Sequence, residues 1–347
     1  MHSGGKVTGT RRGRSMVVAV AAALIAGLLP VGMVSADGHV ETLATFDPEL
    51  GQHPEGVAVD KVGNVYMSMA PLGELWRLAP GATAPEPVAT IPGVAGSEGF
   101  GMLGLAVDAP GNVYIAVHSD EAGGVWRYAP RTGALTHLPG TEVIGLPNDV
   151  AFDARGNLYV TSSFEGFTAE EEALGAVWRI TRRGAVEPWL VSPELGGLGE
   201  PPLPLPIGAN GIVHHRRTLY VGVTELGRIV AVPIRPDGSA GAPAVSAEDP
   251  LLVGADGLAL DVHGRLYVGV IVQSAVRRID ADGSIVTLAT AADGLDFTST
   301  LAFGTGRSER RTLYAVNFAI GPQFGFDPGA GPALLAIRVD TPGRPQP

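Results

Sequence analysis

Short apolar stretches separated by glycine- and proline-rich turns run along this chain, and one group of them sets the pattern for the rest. Gly56-Val-Ala-Val-Asp60 reads as a short strand near an axis, and Lys61-Val-Gly-Asn64 as the turn that ends it. Val65-Tyr-Met-Ser68 is a second strand, Glu74-Leu-Trp-Arg-Leu78 a third and Pro87-Val-Ala-Thr-Ile91 a fourth, a tight antiparallel meander. The phrase that opens the second strand recurs around a tyrosine at Tyr66, Tyr114, Tyr159, Tyr220, Tyr267 and Tyr314, in steps of 48, 45, 61, 47 and 47 residues. A unit of about 40–50 residues holding four short strands is the mark of a propeller blade. Six copies predict an all-β, six-bladed β-propeller with four antiparallel strands per blade, one domain over residues 37–340.

The third strand returns as Val125-Trp-Arg-Tyr128 and Val177-Trp-Arg-Ile180, and its tryptophan is expected to pack between blades with the indole N–H partnered. Blade six supplies only three strands before a proline-rich segment, residues 341–347, expected to be a flexible tail. Its missing strand is predicted at the other end of the chain. Val40-Glu-Thr-Leu-Ala-Thr45 echoes the fourth strand of blade five, Ile285-Val-Thr-Leu-Ala-Thr290, so it should complete blade six and close the ring.

Residues 1–36 fall outside the repeat. Arg11, Arg12 and Arg14 precede an apolar run from Met16 to about Val34, and Val34-Ser35-Ala36 has the small residues of a cleavage site. This predicts a secretory signal and an exported protein with no membrane span left after cleavage. The formal net charge is −11, and removal of Lys6 and the three arginines makes it more negative. Nucleic acid and anionic membranes both require clustered cations, so neither is expected as a partner. A small molecule is the expected partner and a monomer the expected state. With no cysteine, disulfides, thiol nucleophiles and thiolate metal sites are excluded. The long step between blades three and four holds Glu170-Glu-Glu172 and Glu200-Pro-Pro-Leu-Pro-Leu-Pro206, either a solvated loop or a lid over one mouth of the channel.

Six equivalent positions just before the first strands converge on the axis: Glu55, Leu103, Asn148, Asn210, Asp256 and Ser299. Taken singly, Asn-Gly, Asn-Asp and Asp-Gly are ordinary turn dipeptides. Together, two carboxylates and two carboxamides in one register form an all-oxygen donor set that suits a hard cation. Calcium, which takes about 6–8 oxygens, fits better than zinc or magnesium, although another divalent cation is possible. His118, after the second strand of blade two, is a candidate for the pocket wall together with Leu103 and Ser299. His53 stands either at the channel mouth or in a plain loop, and His214 and His215, in the turn of blade four, are expected to face solvent. No Gly-x-Ser-x-Gly elbow is present.

The Glu-Gly of blade one, Pro-Asn-Asp of blade three, Asn-Gly of blade four and Asp-Gly of blade five resemble the motifs of the senescence-marker-protein/gluconolactonase (regucalcin-like) family. These six-bladed propellers are related to paraoxonases and diisopropyl-fluorophosphatase-like enzymes, and the resemblance covers about Val40 to Asp340. It implies metal ligation by Glu55, Asn210 and Asp256, with Asn148 a fourth ligand or a substrate contact. Asp256 is the implied general base or nucleophile. The chain departs from paraoxonases in carrying Leu103 where they have a histidine, and no arginine matches the sugar-lactone-binding arginine of gluconolactonases. The expected function is an exported calcium-dependent hydrolase of lactones or related esters. The alternative is a non-enzymatic binding module with a structural axial metal.

Overall fold

The computed structural model describes residues 40–168, 172–199 and 206–344. The leader expected at residues 1–36 and most of the two loop segments between blades three and four lie outside the described residues. Among the described residues, twenty-four strands form six four-stranded antiparallel sheets. The inner strands of blades one to six are Pro54–Val59, Gly101–Val107, Pro147–Phe152, Ala209–His215, Ala255–Leu260 and Thr298–Phe303. Each packs against the inner strand of the next blade, and the sixth returns to the first, so the six surround a common axis.

Closure follows the sequence echo. Val40–Thr45 pairs antiparallel with Ala333–Arg338 and becomes the outer strand of blade six. The next residue, Phe46, meets Trp76 of blade one edge-on, with ring centroids 5.9 Å apart. One apolar cluster joins Val57, Met67 and Met69 of blade one to Ala302, Tyr314 and Val316 of blade six. Burial of each of the larger side chains contributes about 1.5–3 kcal/mol, so apolar packing holds the seam between first and last blades. The four indole N–H groups all find acceptors: the side chains of Glu74 and Glu165 for Trp76 and Trp178, and the carbonyls of Ala122 and Gly238 for Trp126 and Trp189.

Two expectations change. Residues 341–344 do not trail from the fold. Val262 N–H donates to the Pro342 carbonyl, Gly343 N–H to Arg310 and Arg344 N–H to Leu260, so this segment straps across the inner hairpins of blades five and six. A side chain at Gly343 would collide with the Phe303 ring, which is why the strap can lie so close. His214 and His215 are also not simply solvent-facing; both are partly buried, and burial lowers both imidazole pKa values.

If closure carries the fold, deleting residues 40–46 should abolish cooperative melting or lower Tm steeply. Phe46→Ala, a milder change to a buried aromatic, should cost about 3 kcal/mol in denaturant unfolding. Unchanged melting of the deletion variant would show that the ring does not depend on this strand.

Candidate active site on the propeller axis

The axial residues are not in loops. Every inner strand begins before its axial residue and carries a register shift at that point, at Pro54/Val57, Met102/Leu105, Pro147/Val150, Ala209/Ile212, Ala255/Leu258 and Thr298/Leu301. A bulge leaves two residues outside the ladder and re-aims their side chains. In this ring the first is the axial residue and the second is Gly56, Gly104, Asp149, Gly211, Gly257 or Thr300. The glycines do not supply turns. A Cβ at Gly56 would strike the Leu103 carbonyl, one at Gly211 the Asp256 carbonyl, and one at Gly257 the Thr300 backbone. Neighbouring strands therefore meet at van der Waals distance. At Gly104 the space is taken by the Asp149 carboxylate.

Backbone groups freed by the bulges are tied by hydroxyls from neighbouring strands. Ser68 Oγ accepts from Gly56 N–H and donates to the Leu103 carbonyl of the next blade, both at 2.7 Å. Thr161 does the same between Asp149 N–H, at 2.9 Å, and the Asn210 carbonyl, at 2.6 Å. Ser299 Oγ donates to the Glu55 carbonyl at 2.7 Å, joining blade six to blade one.

This scheme orients the two carboxamides. Ser163 Oγ donates its proton to the Ala209 carbonyl and Thr224 Oγ1 to that of Ala255, so each hydroxyl can only accept from the nearby amide. Asn148 Nδ2 therefore donates to Ser163 at 3.2 Å and Asn210 Nδ2 to Thr224 at 3.0 Å. Both Oδ1 atoms are turned the other way. Asn148 Oδ1, Asn210 Oδ1 and Glu55 Oε2 are all buried and have no hydrogen-bond partner.

Glu55, Asn148, Asn210 and Asp256, each at most 7% exposed, line one cavity of about 50 Å³ with Leu103 and Thr224. The volume suits an ion and the reacting end of a ligand. The rest of the wall is apolar: Phe100, Leu146, Ile207, Ile271, Phe297, Phe318, Ile320 and Phe324. Phe297 stacks on Phe324 at 6.2 Å and meets Phe326 edge-on. It holds a φ of 49°, and Ala319, between two wall residues, a φ of 53°. A left-handed backbone is strained for a bulky side chain, so surrounding contacts must hold this wall in place.

His118 and Ser299 do not line the cavity. His118 Nδ1 accepts from Phe100 N–H at 3.1 Å and the two rings pack at a tilt, 5.5 Å between centroids, so it supports the wall from behind. Ser299 is a strut. His53 contacts the Phe318 carbonyl at 3.0 Å and likewise stays outside the lining. Asp149, Ser163 and Thr224 went unnoticed in the sequence. Asp149 was visible in the Asn-Asp pair, but the two hydroxyls become legible only once the second strands are aligned on the bulges.

The carboxyls are crowded and dry. Burial, then the charges of Asp256 and Asp149, hold Glu55 well above the usual carboxylate range. Burial, reinforced by Asp149, pushes Asp256 up to about 8, against the Gly257 N–H and the Asn210 side chain. Burial lifts Asp149 to about 7 although the Ile212 and Val150 N–H groups donate to it. Leaving a buried acceptor unsatisfied costs about 1–3 kcal/mol. Three such oxygens beside Asp256 form a donor set that a hard cation satisfies and neutralises, so these residues fit a divalent metal. Among the described residues no three His, Cys, Asp or Glu side chains are grouped to hold one, so an axial ion would depend on the carboxamides.

Residues 140–317 match the family model described as SMP-30/Gluconolactonase/LRE-like region, and the chain belongs to that family. Solved structures extend the likeness to the remaining blades. A putative gluconolactonase is 16% identical over 90% of this chain and 95% of that one, with a TM-score of 0.64. A calcium-binding protein, regucalcin, from Agrobacterium tumefaciens is 19% identical over 85% and 93%, with a TM-score of 0.61. A gluconolactonase from Xanthomonas campestris is 17% identical over 89% and 91%, with a TM-score of 0.62. At these identities the structural likeness shows the fold alone. No curated protein matches the chain.

The raised carboxyls predict a pH dependence. A group with a folded pKa of about 8 and an ordinary value of 3.8 keeps a proton that the unfolded chain has released, so stability falls as pH rises between those values. In chelator, Tm should decline from about pH 6.5 to 8 as folding stability falls by up to about 1.4 kcal/mol per pH unit for each carboxyl still protonated in the fold. Half-buried His118 and His214, both lowered by burial, add the opposite slope only below that window. Saturating calcium or Asp256→Asn should flatten the decline, and a flat wild-type profile in chelator would contradict the assignment.

Proposed function

We propose that this chain is an exported, divalent-cation-dependent hydrolase of lactones or related esters, with calcium the ion best suited to its donors. The observation that carries the reading is the convergence of three unpartnered buried oxygens with Asp256 in one otherwise apolar cavity. Membership of a family that includes gluconolactonases supports the reaction class. The calcium-binding regucalcin among its structural neighbours supports the choice of ion.

Glu55, Asn148, Asn210 and Asp256 would hold the cation. When bound, it supplies a Lewis acid for the substrate carbonyl. The chain's own residues do the rest. Ser163 and Thr224 keep both carboxamide oxygens aimed inward without any need for rearrangement. Asp256 lies in the same cavity, where it would either take a proton from an attacking water or attack directly, a bound cation favouring its ionised form. The aromatic wall binds the body of the substrate and excludes water. Among the described residues, apart from the axial groups and Thr224, the lining has no side chain able to hydrogen-bond sugar hydroxyls. Alkyl or aryl lactones and esters therefore fit better than polyhydroxylated sugar lactones.

A structural metal in a binding module is the second reading, favoured by the site's position at the axis where all six blades meet. Chelator-stripped protein should bind calcium one-to-one and hydrolyse alkyl lactones or aryl acetates only with the ion present. Asp256→Asn should lower kcat at least about 100-fold while Tm in saturating calcium barely changes. Calcium binding without turnover, with Tm lost in the variant, would favour the binding module. Export has its own test: protein recovered from outside the host cytoplasm should begin at Asp37, and an intact Met1 would refute cleavage.

A further inference from the structure

The inner strands lead from the axial cavity, past the bulge residues, into a second and larger cavity at the opposite mouth of the channel. It measures about 290 Å³, and all six blades line it. Its walls are largely aliphatic, with Val57, Leu105, Ile212, Leu258 and Leu301 among them, and Asp149 is the one carboxyl in the lining. The groups at its rim are cationic or basic: His214, Arg216 and Arg344.

Two departures from the repeat put them there. In blades one, two, three and five, an aspartate ends the inner strand and binds its own turn, as Asp60 accepts from Asn64 N–H and Nδ2. Asp108, Asp153 and Asp261 hold the corresponding turns. Blade four has no acid in this hairpin; it reads His214-His-Arg-Arg217. Arg216 adopts a φ of 58° there, a slot that favours glycine, although only a short turn is needed. The second departure is the strap of residues 341–344, whose backbone hydrogen bonds deliver Arg344 to the rim. The Arg344 guanidinium donates to Nδ1 of His215, and Arg344 also lines an adjoining cleft with Lys61 and Arg310.

Several strand arginines are matched with acids on neighbouring strands, as in Arg77 with Glu86, Arg179 with Glu187 and Arg228 with Glu248, whereas Arg127 and Arg277 are not. Among the described residues, Arg216 and Arg344 form no ion pair. An acidic protein thus holds two unpaired guanidinium groups over an apolar well.

The geometry points to a second ligand site at this mouth, for a small amphipathic carboxylate. The planar carboxylate head lies at the rim, where guanidinium forks pair with it. The aliphatic body fills the well. The reverse orientation would bring two carboxyls together at Asp149. The site is separate from the proposed hydrolytic centre and does not depend on it.

Octanoate, titrated calorimetrically into the full chain, tests this. Saturable one-to-one binding is expected, weakened at least tenfold in the Arg216→Gly/Arg344→Gln double variant. Arg216→Gly relieves the left-handed backbone, Arg344→Gln keeps the strap's backbone hydrogen bonds, and an unchanged Tm of the double variant shows that loss of binding is not misfolding. Asp256→Ala should bind octanoate as wild type does. Absence of saturable binding, equal binding by the double variant, or equal affinity for octan-1-ol would each overturn the proposal.

Discussion

Everything in this molecule depends on how closely six strands can approach one axis. Six β-bulges put two residues per blade out of the ladder at the same depth. That removes backbone hydrogen bonds where water cannot replace them. Two devices offset the loss: hydroxyls of Ser68, Thr161 and Ser299 reach across to carbonyls of the next blade, and glycines at four of the second bulge positions allow direct contact. The same devices that let the ring close also determine which atoms face the channel.

Function grows from that constraint. Because the hydroxyls of Ser163 and Thr224 spend their protons on backbone carbonyls, they can only accept from the amides of Asn148 and Asn210. The oxygens are left bare and aimed inward beside Glu55 and Asp256. A dry cluster of acceptors is unfavourable in isolation, and the raised carboxyl pKa values express the same tension electrostatically. A cation relieves both. The aromatic wall, held by strained backbone at Phe297 and Ala319, leaves the polar groups of this cavity gathered at the axis.

The channel is asymmetric. Asp149 and the bulge glycines divide an oxygen-lined, aromatic front from an aliphatic rear rimmed by arginines. Successive residues of one inner strand serve both halves: Asn210 faces the front cavity, while Ile212 and His214 line the rear. Substitutions on these strands therefore affect one end or the other according to a shift of only a few positions.

Much of this was legible in the chain. The tyrosine spacing predicts six blades, the echo between Val40-Glu-Thr-Leu-Ala-Thr45 and blade five predicts ring closure, and alignment on the first strands brings out Glu55, Asn148, Asn210 and Asp256. Repetition makes these features readable, because equivalent positions in a closed ring must converge. Features that break the repeat, or that join distant segments, were not readable. His118 and Ser299 fell behind the cavity wall, the tail at 341–344 became a strap, and the aromatic lining came from loops without a shared motif. Ser299 meets Glu55 across 244 residues of sequence. The sequence by itself determined the architecture and the ring of axial donors, since both follow from local patterns copied six times. Only the tertiary structure decided which way each amide points and what lines each mouth, because those depend on hydrogen bonds and packing between blades.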